Sequence, residues 1–246
     1  MFVRVPHRIR SLARSLMARL GYDVLATSSR DNIPRRRARL LEKYEVDIVL
    51  DVGAAHGGYA RSLRRLGYKG RLACFEPLAS SLRELEAWAR TDPFVAVYPC
   101  ALGNVEGHAP LQIAGNRDSS SLREMLPAHM QAAPYATPVG YESVEVKRLE
   151  GLFEAVCVSA KRPFLKIDTQ GFEIEVLRGA GERLAEIVGV QAELSLIPLY
   201  ADQTLWMEVI EFLAAHGLHL CSLEPGFCDD RTGRLLQVDG VFFRTA

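Results

Sequence analysis

The stretch Ile48-Val49-Leu50-Asp51-Val52-Gly53-Ala54-Ala55-His56-Gly57-Gly58-Tyr59 sets an apolar strand ending in an acid against a glycine-rich turn that opens a helix. Glycines let the backbone approach a ligand closely, and a helix start offers unpaired N–H groups at the positive end of its dipole. A second acid, Glu76 in Cys74-Phe75-Glu76-Pro77, closes the next apolar run. A carboxylate at that place can take both hydroxyls of a ribose. Together the two segments point to a nucleotide-like ligand.

Three ligand classes compete for this loop. A phosphate-cradling loop needs Gly-x-x-x-x-Gly-Lys-Ser/Thr, and no lysine follows Gly57 or Gly58 at the required place. A dinucleotide fold prefers Gly-x-Gly-x-x-Gly, whereas here the spacing is Gly53-x-x-x-Gly57-Gly58 behind Asp51. Asp51 repels a pyrophosphate but attracts the cationic amino-acid end of S-adenosylmethionine, so that ligand wins on electrostatic sign. A nicotinamide-dependent oxidoreductase and a non-catalytic module that binds the same ligand stay as alternatives.

Outward from the loop the chain alternates. Apolar runs at 46–51, 71–76 and 95–100 are separated by helical stretches at 59–66 and 78–90, and a further helix is expected at 35–44. Strand, helix, strand in this rhythm predicts a parallel sheet covered on both faces. Polar-alternating strands at 109–114 and 142–147 flank a Ser/Pro/Gly-rich excursion over 115–140, long enough to favour a functional lid over a plain connection. The rhythm resumes with a strand at 163–168, a helix at 172–177, a strand at 188–194, a helix at 202–216 and strands at 218–223 and 238–244. The helix's Trp206, Val209, Ile210 and Leu213 fall at core spacing. The last two strands are joined by too few, too turn-rich residues for a crossover helix, which places the final strand antiparallel at or near an edge.

The 246 residues are 48% hydrophobic and 24% charged, which fits one large globular domain and excludes collagen-like and disordered classes. Thirty basic residues against thirty acidic ones exclude a dedicated nucleic-acid binder. The charge is uneven: residues 1–45 carry +7 and the rest −7. That division reads as a basic helical arm over 1–45 and a catalytic domain over 46–246. No apolar run reaches the roughly 18 residues of a membrane span. Residues 8–20 read as a basic helix packing Ile9, Leu12, Leu16 and Leu20 on the domain, with peripheral membrane contact as the alternative. Arg35-Arg36-Arg37 reads as a solvated run, with steering of an anionic acceptor as the less common role. Five cysteines without a Cys-x-x-Cys pair fit a reducing cytosol, hence a cytoplasmic location.

The ordered motifs resemble the FkbM-type S-adenosylmethionine-dependent methyltransferases, over about 35–244. The resemblance rests on Val49-Leu50-Asp51-Val52-Gly53-Ala54 with Gly57 and Tyr59, on Phe75-Glu76-Pro77, and on Ala101-Leu102-Gly103. It continues through Asn116 with Ser119-Ser120-Ser121-Leu122, through Leu165-Lys166-Ile167-Asp168-Thr169-Gln170-Gly171-Phe172-Glu173 with Val176, Leu177 and Gly179, and through Glu193-Leu194-Ser195 before Pro198-Leu199-Tyr200. It implies an α/β, Rossmann-like class I methyltransferase sheet, mostly parallel with an antiparallel last strand, and O-methylation of a small-molecule or glycan hydroxyl such as a sugar, glycolipid or polyketide-like product. It also implies cofactor contacts from Asp51, Gly53, Ala54, Gly57, Tyr59, Glu76, Pro77 and Ala101. Asn116, Ser120 and Glu173 fall on the acceptor side. Ala55 and Gly58 depart from the family's usual residues at those two positions.

Asp168 and Glu193 end successive strands on the edge where ligands bind in open α/β sheets. Two carboxylates there serve either as general base and orienting group or as ligands of a divalent ion that acidifies the acceptor hydroxyl. Asp168 also suits a helix cap, and Glu173, in the first helical turn, suits the dipole. His56 in the loop and His129 in the excursion are weaker candidates for the base.

Overall fold

The computed structural model describes residues 11, 15–22 and 32–244. Its elements are α1 (Ile33–Lys43), β1 (Ile48–Val52), α2 (Gly58–Arg65), β2 (Arg71–Phe75), α3 (Ala79–Ala89), β3 (Val95–Tyr98), β4 (Ala101–Leu102), β5 (Gly107–Ala114), α4 (Pro127–Ala132) and β6 (Pro138–Lys147). There follow α5 (Leu149–Val156), β7 (Pro163–Ile167), α6 (Glu173–Gly179), β8 (Gly189–Ser195), α7 (Trp206–Ala215), β9 (Leu218–Pro225), β10 (Cys228–Asp229), β11 (Arg234–Leu235) and β12 (Gln237–Arg244).

Seven strands form the main sheet in the order β3-β2-β1-β7-β8-β12-β9. The first five run parallel, and β12 is antiparallel to both of its neighbours, as its short connection to β9 requires. It lies one place in from the edge. The sheet is buried on both faces: Ile48, Leu50, Leu165 and Val190 face a core closed by α5, α6 and α7, while Val49, Phe164 and Val241 face one closed by α1, α2 and α3. Continuous apolar strands follow from that double cover.

The strand expected over 95–100 stops at Tyr98. Pro99 cannot donate to a ladder, and after it Ala101–Leu102 leaves the main sheet to pair with β6. With β5 these strands make a separate sheet, β4-β6-β5, in which the two strands flanking the excursion pair antiparallel. The excursion is thus the end of a hairpin, and it carries α4 and a 3-10 turn at Pro134–Ala136. Bridges from Ser121 to Gln112 and from Met125 to Tyr200 tie it to the domain.

Two expectations for the basic arm change. Leu16 and Leu20 are exposed rather than packed, and Ile9 and Leu12 lie outside the described residues. Arg37 is no solvated charge. Its guanidinium pairs with the buried Glu224 of β9 and lies 5.2 Å from the Tyr59 ring centroid, so α1 is anchored over the sheet by a largely buried ion pair.

Candidate functional site

The cofactor loop is built around positions where a side chain has no room. Gly53 has φ +73°, and a Cβ there would lie 1.9 Å from the Asp168 carbonyl oxygen. The backbone N–H groups of Gly53 and Ala54 both donate to the Phe75 carbonyl, at 3.1 and 3.0 Å, locking the turn against β2. Glu76 completes the lock: its Oε2 accepts from Ala55 N at 2.7 Å and its Oε1 from Leu78 N at 2.8 Å. Burial pushes this carboxyl up to about 7, against the pull of those two N–H donors.

A cleft opens above the turn, lined by Gly53, Ala55, Glu76, Pro77, Ala101 and Asp168, with Ser120, Ser121, Leu122 and Phe172 on the far wall. Asp51, Ala54, Gly57 and Tyr59 do not line it. Gly57 caps α2 at φ +84°, with Leu85 and Trp88 against the place of its missing Cβ. Tyr59 lies between helix and sheet and donates to Gln191 at 3.0 Å. Asp51 is fully buried, its Oδ1 paired with the Lys166 ammonium at 3.0 Å and its Oδ2 without a partner. Lys166 Nζ also reaches Gly53 O at 3.2 Å and Asp168 Oδ2 at 3.4 Å. Burial disfavours this ammonium, but Asp51 and Asp168 outweigh it and hold the charge on.

These residues fit S-adenosylmethionine. The second oxygen of the buried Asp51 carboxylate, left without a partner beside Gly53, matches an ammonium reached through water, and the side-chain-free turn gives the backbone its close approach. The Glu76 carboxylate retains acceptor capacity for ribose hydroxyls.

Beyond the cleft, Gln170 brings the two predicted carboxylates together: its Nε2 donates to Asp168 Oδ1 at 2.8 Å and to Glu193 Oε2 at 2.9 Å. Tyr200 donates to Gln170 Oε1 at 2.8 Å, and Ser121 Oγ to the Gln170 carbonyl at 2.7 Å. Lys166 and Asp168 stand two residues apart at the end of β7, a spacing that marks the lysine as a site residue. Gln170 and Tyr200 fall within the quoted motifs but have no charge or spacing to mark them, and the fold brings them together.

The acceptor-side candidates separate. Ser120 lines the cleft. Asn116 instead closes its own turn by exchanging hydrogen bonds with Ser119, at 3.0 and 3.1 Å. Glu173 is buried, and its Oε1 accepts from Thr169 N, Gly171 N and Thr169 Oγ1, stapling the loop after β7; burial raises it to about 7. His129 is packed against Tyr200 and Phe227, where burial lowers it to about 4 and leaves it neutral. His56 is exposed, 3.6 Å from Asp118 of the excursion. Among the described residues no three His, Cys, Asp or Glu side chains are grouped to hold a metal ion, and no helix is long and apolar enough to cross a membrane.

Residues 51–220 match the family model of the methyltransferase FkbM domain. The methyltransferase FkbM of Methylobacillus flagellatus has a similar fold, at 16% identity and a TM-score of 0.53, over 81% of this chain and 44% of that one. This chain therefore spans less than half of that protein's length. The 1,6-didemethyltoxoflavin-N1-methyltransferase of Burkholderia thailandensis, solved with S-adenosylhomocysteine, aligns over 100% of this chain and 93% of its own at 14% identity and a TM-score of 0.44. Fibrillarin of Aeropyrum pernix, solved with S-adenosylmethionine, aligns over 94% and 74% at 12% identity and 0.45. No curated protein matches the sequence.

Proposed function

The chain belongs to the FkbM methyltransferase family, and from that premise we propose that it is an S-adenosylmethionine-dependent enzyme that methylates a hydroxyl of a sugar, glycolipid or polyketide-like product in the cytoplasm. One observation carries the choice of a hydroxyl: Asp168 and Glu193 are held side by side by one amide, next to a cleft that Asp168 itself lines. A hydroxyl must shed its proton as it is methylated, and a carboxylate within reach can take it. The nicotinamide alternative falls with the family match.

Bound S-adenosylmethionine supplies a methyl group on a positively charged sulfur. The protein's part is alignment. Glu76 would hold the ribose, the Gly53 turn would admit the amino-acid end toward Asp51, and Asp168, on the cleft wall, would meet the acceptor. Ser120 to Leu122 cover the cleft and keep water from the reacting atoms. Most of the acceleration comes from fixing the two reactants in line.

Incubation with S-adenosylmethionine labelled on the methyl group and a panel of neutral, acidic and amino sugars tests this reading. Alkali-stable label on a sugar oxygen is the expected product. Label on nitrogen, or cofactor binding with no transfer to any hydroxyl, would overturn it. A parallel run with a chelator separates carboxylate assistance from help by a divalent ion.

A further inference from the structure

We infer that Gln170 is a positioning residue that fixes Asp168 and Glu193 side by side, so that Asp168, the carboxylate that lines the cleft, meets the acceptor in a set orientation with Glu193 behind it. The inference rests on the hydroxyl-methylating reading and divides the labour between two carboxylates that this reading leaves equivalent.

The division follows from position. Asp168 lines the cleft, and with Oδ1 bonded to Gln170 Nε2 at 2.8 Å and Oδ2 paired with Lys166 Nζ at 3.4 Å each oxygen keeps acceptor capacity. Glu193 spends Oε2 on the same amide at 2.9 Å, and among the described residues no donor reaches its Oε1. The two N–H bonds of the Gln170 amide are thus used on two different acids. Its orientation is set from the other end, where the Tyr200 hydroxyl donates to Oε1 at 2.8 Å. A glutamate at this place would confront two carboxylates with a third, and a leucine would offer them nothing.

The backbone is bent to make this possible. Gln170 sits at φ +56°, a left-handed conformation that a non-glycine residue holds only where its surroundings impose it. The surroundings do so. Glu173 accepts from Thr169 N and Gly171 N on either side, Ser121 holds the Gln170 carbonyl, and a Cβ on Gly171 would lie 2.9 Å from the Tyr200 Cβ.

In the step, the acceptor oxygen forms its bond to the methyl carbon as the carbon–sulfur bond breaks. The electron pair stays on sulfur, which becomes the neutral thioether, and the hydroxyl proton passes to the Asp168 carboxylate, the one of the two that lines the cleft. Burial, then Asp168, Glu173 and Asp239, raise Glu193 above the usual carboxylate range, with Lys166 opposing.

The test is a carbon NMR titration of the protein labelled at its aspartate and glutamate carboxyls, with S-adenosylhomocysteine bound, from about pH 4 to about pH 9. In Gln170→Leu, which removes the amide donor to the Glu193 carboxylate, the Glu193 resonance should titrate at a higher pH than in the unaltered protein. Tyr200→Phe, a milder change, should shift it in the same direction by less, and it decides the matter if the leucine variant does not fold. An unmoved Glu193 titration in a folded variant overturns the inference. A protein that binds S-adenosylhomocysteine and shows these shifts but methylates no hydroxyl would instead overturn the functional reading alone.

Discussion

Replacing Gly53 by alanine separates two costs that the cofactor loop imposes. The first is conformational: at φ +73° an L side chain costs about 1–2 kcal/mol. The second is steric. The new Cβ would lie 1.9 Å from the Asp168 carbonyl oxygen and 2.9 Å from its carbon, so backbone must yield by about 1 Å before contact is tolerable. Neither side yields easily, because Asp168 N donates to Val52 O at 3.1 Å and Gly53 N to Phe75 O at 3.1 Å. Overpacking of this kind costs about 1–3 kcal/mol, which brings the sum to about 2–5 kcal/mol. Gly67 provides the control, since at φ +95° nothing lies within 4 Å of its missing Cβ, and Gly67→Ala bears the conformational cost alone. Urea unfolding of both variants, with calorimetry of S-adenosylhomocysteine binding, gives the steric share as their difference. Equal destabilisation by the two substitutions, with Gly53→Ala still binding normally, would refute the argument that the turn must be bare.

Glu76→Ala should weaken S-adenosylhomocysteine binding by about 1–3 kcal/mol for each charge-assisted hydrogen bond lost, as calorimetry would read. Glu76 and Glu173, both raised to about 7, keep their protons in the folded state while the unfolded chain releases them, so the ligand-free protein should lose stability as pH rises from about 4.5 to about 7 and regain it on acidification through that window. Urea midpoints along a pH series check the sign. Asp168→Asn should lower turnover by roughly 10²-fold with little change in cofactor affinity, measured by transfer of labelled methyl. Amide exchange over 116–122 should slow when S-adenosylhomocysteine and an acceptor are bound, and equal rates would make that stretch an ordinary loop.

The sequence carries the sheet clearly because strands buried on both faces are written as unbroken apolar runs. Val46 to Asp51 and Pro163 to Asp168 need no context to be read. The loop after β1 is equally legible, since Gly53 and Gly57 answer to local backbone demands. What stays hidden depends on distant partners. Arg37 looks like its neighbours Arg35 and Arg36 until Glu224, far along the chain, comes to lie beneath it. Glu173 looks like a site acid, and only the folded loop shows its oxygen already shared among three donors. Gln170 has no periodicity or charge to betray it, although its role depends on a torsion that the sequence does not display. The run 95–100 ends as a strand at Tyr98, before Pro99, and the destination of Ala101 beyond it depends on β6, some forty residues on.

The place of β12 between β8 and β9 has a consequence for biogenesis. A ribosome makes β9 before the strand that is its sole neighbour in the main sheet. Until β12 emerges, nascent β9 has no seat, and its Leu220 and Leu223, exposed even in the finished fold, are open to any other extended chain nearby. Arg37 waits as well, because its carboxylate partner arrives with β9. Completion of the sheet therefore waits for β12, and slow synthesis between 226 and 237 would prolong the exposure of β9.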